Sequence, residues 1–413
     1  MARFPESIDE IDFWDLDMFT DGDPHLAWSM LRREAPVWYH DREGGEPFWC
    51  VTRYEDVRAV YLDPIRLSNR DRIVLRSTEV LDTFPEGYDG RSMISTDPPV
   101  HGPLRKVISH NFTPRTISLL ENQLRRFASA CLEEAAERRD IDFVSDVAQR
   151  IPAAIALSLM GVPEQDWERL AELEHVTVTA ASDPEFTQGK DRRTALVETQ
   201  RELKSYFVNL VDKRRTDLGE DLLSQLLEGT VEGEPLRSED VVQTASLLLV
   251  GGLDTTRAAA SAGGMLPLLK HPDQLALLRD EPAQIAAAVD EFIRWASPIT
   301  HEARTVLAPV TIGDVEFSAG DRVAVWSPSA NRDEQQFPDP FLYDVTRQPN
   351  KHLSFAFGEH FCLGAHLARL ALKVEFEEIL KRFKSIELTG EPVRVRSNFV
   401  GGLKHLPVHL TPA

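Results

Sequence analysis

Cys362 stands in the stretch Phe355-Ala356-Phe357-Gly358-Glu359-His360-Phe361-Cys362-Leu363-Gly364-Ala365-His366. Glycines at 358 and 364 bracket it, and an apolar pattern at helical spacing (Leu367, Leu370, Ala371, Val374) begins just after. A thiol in front of a helix N-terminus meets exposed N–H groups and the positive end of the helix dipole, and both favour thiolate over thiol. The glycines allow a flat or bulky group to approach the backbone. A thiolate so held is a nucleophile or a metal ligand; a buried structural cysteine is the plain alternative. A zinc site from His360, Cys362 and His366 lacks a fourth ligand nearby. No local signature supports a papain-type nucleophile.

A second stretch is Leu247-Leu248-Leu249-Val250-Gly251-Gly252-Leu253-Asp254-Thr255-Thr256. Four apolar residues in a row predict a helix buried all round. Two glycines inside it cost about 1 kcal/mol each relative to alanine, and an acid and two hydroxyls follow. Local propensity opposes this combination, so a function should compensate. Thr255 can bond back to the Gly251 carbonyl and loosen the helix. The missing side chains leave room for a small ligand, to which Asp254 and Thr255 could pass protons. The simpler reading is a kinked core helix with a paired carboxylate.

Two further pairs stand out. Glu291 and Arg294 lie three apart on a stripe formed by Ile285, Ala288, Val289, Phe292 and Trp295, which by itself predicts a surface salt bridge worth little. His101 and Arg105 share a helix face, where an anion would relieve their repulsion when His101 is protonated; a solvated face is the default.

The elements that must position these groups are readable in outline. A β-rich part covers about residues 36–60, with Val37-Trp38-Tyr39 and Phe48-Trp49-Cys50-Val51-Thr52 around a Gly44-Gly45 turn. Helical patterns dominate about 98–297, with Asp97-Pro98-Pro99 as a helix start. Hairpin pieces return at about 304–326, a Pro-, Asp- and Asn-rich loop covers about 327–354, and a β-like tail spans about 384–411. Two segments, about 69–96 and 180–192, resist assignment and read as binding loops or lids. No linker or repeat divides the chain, so residues 1–413 are read as one large domain, mainly α with small β-sheets.

Composition narrows the partners. With 46 basic and 67 acidic residues, the 413-residue chain carries a formal charge of −21. That balance argues against nucleic acid or an anionic membrane. The acidic N-terminus is unlike a secretory signal, and the longest apolar stretches, 241–253 and 258–269, are too short to span a bilayer. The three cysteines, Cys50, Cys131 and Cys362, form no disulfide framework and suit a reducing cytoplasm.

Taken together and in order, these segments resemble the cytochrome P450 family of haem-thiolate monooxygenases. Phe355, Gly358, His360, Cys362 and Gly364 match its haem-binding loop, F-x-x-G-x-[HR]-x-C-x-G, and Gly251 to Thr256 match its oxygen-binding helix motif, [AG]-G-x-[DE]-T-[ST]. Glu291-Phe292-Ile293-Arg294 is the family's E-x-x-R. Phe337-Pro338-Asp339-Pro340 with Arg347 resembles the meander that follows, and Pro99 to Arg105 resembles the propionate-binding helix. The likeness runs from about residue 20 to the C-terminus. One departure is Ala356, where the loop usually has glycine or another small or polar residue; a slightly altered turn is expected there.

The resemblance implies haem b with Cys362 as the proximal thiolate. It makes His101, Arg105, Arg304 and His360 propionate partners, and Asp254 and Thr255 the proton-delivery pair, with Asp254 relaying from solvent. Glu291, Arg294 and Arg347 become structural. Phe355, Gly358 and Gly364 shape the loop, and Gly251 makes room on the far side. The implied pocket is lined by about 69–96, about 165–195, Val250 with Gly251, Ile299-Thr300-His301 and Asn398-Phe399-Val400-Gly401. Such an apolar lining suits a medium-sized lipophilic substrate, a terpenoid, steroid or polyketide-like molecule, oxidised with O2. Arg72 and Arg76 are read as surface charges or as partners for an acidic group on the substrate. Electrons are expected from a separate ferredoxin-type carrier, docked on a basic patch of Lys106, Arg115 and Lys373. Other readings are a haem-binding sensor or carrier, peroxide-driven oxidation by the same fold, and a cysteine-dependent hydrolase, which would leave Gly251 to Thr256 unexplained.

Overall fold

Alternating apolar residues build the expected N-terminal hairpin. β1 (Val37–His40) and β2 (Phe48–Val51) pair antiparallel, with Tyr39 opposite Trp49. The structure is a computed structural model that describes residues 5–78, 92–178, 183, 185–187 and 189–413. The hairpin is the edge of a five-stranded sheet ordered β1-β2-β5-β4-β3, completed by β3 (Leu67–Ser68), β4 (Glu302–Val306) and β5 (Arg322–Val325). β5 runs parallel to β2 and antiparallel to β4. A three-stranded sheet joins Phe383–Leu388 and Asp140–Asp142 to either side of Pro407–Pro412. The remainder is mainly helical, as the sequence predicts.

Six helices position the site: α1 (His101–Ser109), α2 (Trp167–Val178), α3 (Ser238–Gly252), α4 (Asp254–Ala258), α5 (Ile285–Ala296) and α6 (Ala365–Arg382). α1 begins three residues later than its prolines predict. Asp97 does not cap it: its carboxylate accepts from the Asn69 amide at 2.9 Å and from the Ser68 hydroxyl, tying the helix start to β3. α5 ends as expected before Pro298, with Ser297 in the left-handed region at φ 42°.

The helix break at 253 is the fold's central irregularity. Leu253 separates α3 from α4, and a π-helical stretch, Ala259–Met265, follows. Its two glycines are there for close packing. A Cβ on Gly263 would lie 2.0 Å from the Phe292 carbonyl oxygen, and one on Gly264 2.3 Å from the Phe376 ring. The irregular helix therefore lies directly on α5 and α6.

The core behind the site is largely apolar. Phe292, Phe376, Leu372 and Val289 are fully buried in it. Glu375 of α6 is equally buried, and neither of its carboxylate oxygens has a hydrogen-bond partner among the described residues. Burial pushes its pKa up to about 8, so it carries its proton at neutral pH.

Candidate active site

The loop before α6 delivers Cys362 to the wall of an apolar cavity of about 270 Å³. The Cys362 amide donates to the Phe355 carbonyl at 2.9 Å, closing the loop on itself. Gly358 has φ 74°, and a Cβ there would lie 2.9 Å from the Tyr61 carbonyl oxygen, so this position admits only glycine without strain. Ala356 also turns left-handed, at φ 56°. The altered turn expected of alanine is therefore a retained turn with about 1–2 kcal/mol of local strain.

Gly251, Gly252 and Thr255 face the same cavity as Cys362. A Cβ at Gly251 would meet nothing within 4 Å, so a side chain there would occupy cavity space. Thr255 Oγ1 donates to the Gly251 carbonyl at 2.8 Å, the bond expected from sequence. Met93, Ile94, Ile155, Leu248, Ile299 and Phe355 supply much of the apolar lining. Of the segments predicted to line the pocket, part of 69–96, Gly251 and Ile299 do so; Val250, Thr300, His301, residues 398–401 and the described part of 165–195 are not in its lining, and residues 79–91, 179–182, 184 and 188 lie outside the described residues.

His101, Arg105 and His360 also line the cavity. The His101 and His360 rings are 4.1 Å apart; His360 Nε2 is buried without a hydrogen-bond partner among the described residues, and His101 Nδ1 lies 3.5 Å from the Glu359 carboxylate. Burial, then the His101, Arg304 and Arg105 charges, push the His360 pKa down to about 3. Burial also lowers that of His101. Arg105 donates to the Phe361 carbonyl at 2.6 Å. Arg304 stands behind the lining, donating to Glu302 at 3.0 Å and lying over the Tyr61 ring. Four groups that can be cationic thus converge where they disfavour one another's charge, an arrangement that an anion would relieve.

Two sequence expectations need correction. Burial raises the Cys362 pKa and outweighs the Gly364 amide and Arg105, which lower it; local dipoles alone do not yield a thiolate here, and a bound cation would have to. Asp254 does not face the cavity or solvent. It is 1% exposed and accepts from Arg257 Nε at 2.8 Å, with His175 Nδ1 3.0 Å from its Oδ2. Arg257 was within reach of sequence reasoning, being three residues on from Asp254. His175 was not, since it comes from α2.

Glu291 and Arg294 are buried, not the surface pair that their spacing alone predicts. Arg294 donates to both Glu291 oxygens, at 2.7 and 2.8 Å, and to the Asn331 and Pro340 carbonyls. Arg347 Nε lies 3.4 Å from Glu291, and its other nitrogens donate to the Pro338, Asp339 and Leu342 carbonyls. Arg72 is committed to Glu46 and Asp71 and is no open surface charge; Arg76 donates its amide to Glu46 at 2.9 Å. Lys373 pairs with Glu121 and Glu377, which removes it from the basic patch. Lys106 and Arg115 are exposed.

Among the described residues, no helix is long and apolar enough to cross a membrane. The family model described as "Cytochrome P450" matches residues 15–408. A methyl-branched lipid omega-hydroxylase of Mycobacterium bovis is 34% identical, over 97% of this chain and 94% of its own length. A linalool 8-monooxygenase of Pseudomonas putida is 33% identical, over 96% and 98%. The Mycobacterium marinum cytochrome P450 CYP268A2, solved in complex with pseudoionone, superposes with a TM-score of 0.88 at 33% identity, covering 99% of this chain and all of that one.

Proposed function

The chain belongs to the cytochrome P450 family of monooxygenases, and from that premise we propose that it inserts one oxygen atom from O2 into a medium-sized lipophilic molecule of the terpenoid, steroid or polyketide kind. The observation that carries this is the cavity with Cys362 on one wall and Gly251 and Thr255 on the other. The apolar lining between them suits a substrate held mainly by shape. The lipid and terpene names of the two relatives, and the pseudoionone in the similar structure, support the same substrate class.

The residues present fit haem b. Cys362 is the one thiol of the lining, and Cys50 and Cys131 are buried elsewhere, so covalent attachment through paired cysteines has no support. Cys362 would ligate the iron, and His101, Arg105, Arg304 and His360 would meet the acid groups. His360 Nε2, buried without a partner among the described residues, is the atom that gains most. When bound, haem supplies the oxygen activation and electron transfer.

The chain's own residues then have distinct tasks. Gly251 leaves the space above Cys362 open. Thr255 Oγ1 donates to the Gly251 carbonyl and keeps its lone pairs for a water or ligand in the cavity. Asp254 holds the acid end of the proton path behind the helix wall. Thr255→Ala is expected to keep the cofactor and the affinity for the probe pseudoionone, yet release several-fold more hydrogen peroxide per electron consumed. Peroxide release equal to that of the unchanged enzyme would remove Thr255 from proton delivery.

A separate ferredoxin-type carrier completes the reading, along with a cytoplasmic location consistent with three free cysteines. Exposed Lys106 and Arg115 supply the local positive charge that an acidic carrier needs on a chain of net charge −21. Lys106→Glu/Arg115→Glu should slow reduction by a ferredoxin at least tenfold at low salt and flatten its salt dependence. A reduction rate unchanged at every salt concentration would rule out this surface.

A further inference from the structure

Behind the α3–α4 break lies a buried cluster of which the family motif describes only Asp254. It comprises Glu174 and His175 at the end of α2 with Asp254 and Arg257 of α4, all at 5% exposure or less. His175 Nδ1 lies 3.0 Å from Asp254 Oδ2 and 3.3 Å from Arg257 Nη2. One nitrogen thus stands between an acceptor and a donor. Protonated, Nδ1 donates to the carboxylate; deprotonated, it accepts from the guanidinium. The ring has a bonded partner in either state, so its proton can leave and return without orphaning a buried atom.

A carboxylate held at 2.8 Å by Arg257 Nε is stabilised as the anion and carries no proton of its own to give. Burial, with Asp254 beside it, pushes the Glu174 pKa well up. On the outer side, the Phe186 ring packs edge-on against His175 at 4.6 Å, and Lys404 Nζ lies 5.3 Å over that ring, paired with Asp183 at 2.9 Å. Histidine is the side chain whose ordinary pKa lies near physiological pH.

Resting on the reading of Asp254 as the acid of the proton path, we infer that His175 is the residue that recharges it. The Nδ1 proton passes to Asp254 Oδ2, leaving a neutral imidazole and a neutral carboxylic acid. The ion pair with Arg257 is then broken, and the carboxylic acid can turn towards the cavity. After it releases its proton there, the carboxylate re-forms the pair with Arg257, and the imidazole takes up a proton from solvent. His175 is a positioning and relay residue; it touches neither cofactor nor substrate.

The test has two arms. In the diamagnetic ferrous carbonyl form of the holoenzyme, the His175 ring nitrogen chemical shifts should change in Asp254→Asn; unchanged shifts overturn the contact. With pseudoionone as probe, His175→Gln, which keeps a hydrogen-bonding group there, should raise peroxide release several-fold and flatten the pH profile of coupling between about pH 5.5 and 8. Coupling and pH profile equal to those of the unchanged enzyme overturn the relay. If Asp254→Asn is itself fully coupled, the reading of Asp254 fails first. If it uncouples and His175→Gln does not, only the present inference fails.

Discussion

Cys362→Ser is expected to yield a folded protein whose reduced carbonyl form lacks the strongly red-shifted Soret band of a thiolate-ligated haem, and whose monooxygenase turnover falls to background. The substitution removes the sulfur and leaves the frame. The loop is closed by a main-chain bond from residue 362 to the Phe355 carbonyl, and Gly358 and Gly364 are untouched. A serine hydroxyl in this half-buried position does not ionise at neutral pH, so the donor that pushes electron density to the iron is lost. Far-UV circular dichroism should be unchanged, which separates loss of the ligand from loss of the fold. A red-shifted band persisting in the variant would assign the iron to another residue and defeat the site assignment.

Arg294→Met should be the most destabilising substitution near the site, by about 3–5 kcal/mol, read as the fall in ΔG of unfolding by denaturant titration. It strands the Glu291 carboxylate at 0% exposure. The Asp344 amide at 3.2 Å and the Asn350 side chain at 3.0 Å would still donate to Glu291, and Arg347 Nε would remain 3.4 Å away, but the bidentate cation would be gone. The Asn331 and Pro340 carbonyls would lose their donor as well. Because those carbonyls belong to the segments that lead into the cysteine loop, cofactor retention should fall together with stability. The double change Glu291→Met/Arg294→Met should recover part of the loss, since it removes the buried charge but not the carbonyls' need for a donor. A single variant as stable as the parent would show that the pair does not hold this region.

The elements of the site were legible where the signal is local. The thiol before a helix, the Gly251-Gly252 gap, the back-bond from Thr255 and the N-terminal hairpin depend on residues within a few positions of one another. Spacing and steric rules suffice for those. The capping role of Asp97 was misjudged because its carboxylate is taken by Ser68 and Asn69 across the fold. Burial was misjudged in the same way. An i,i+3 pair such as Glu291 and Arg294 looks identical on a surface and in a core, and only the carbonyls of residues 331 and 340 distinguish them.

By itself the sequence determined the chemistry on offer: one thiol set before a helix, a helix hollowed by two glycines, an acid–alcohol pair, and a charge balance that argues against nucleic acid. The tertiary structure decided which of these groups meet. It set Thr255 on the cavity and Asp254 behind it, raised the Cys362 pKa through burial, and brought His175 to Asp254 from 79 residues away in the chain. The physical reason is that residue type and short-range spacing fix donors, acceptors and helix faces. Desolvation and long-range pairing are properties of the packed interior, and no local rule contains them.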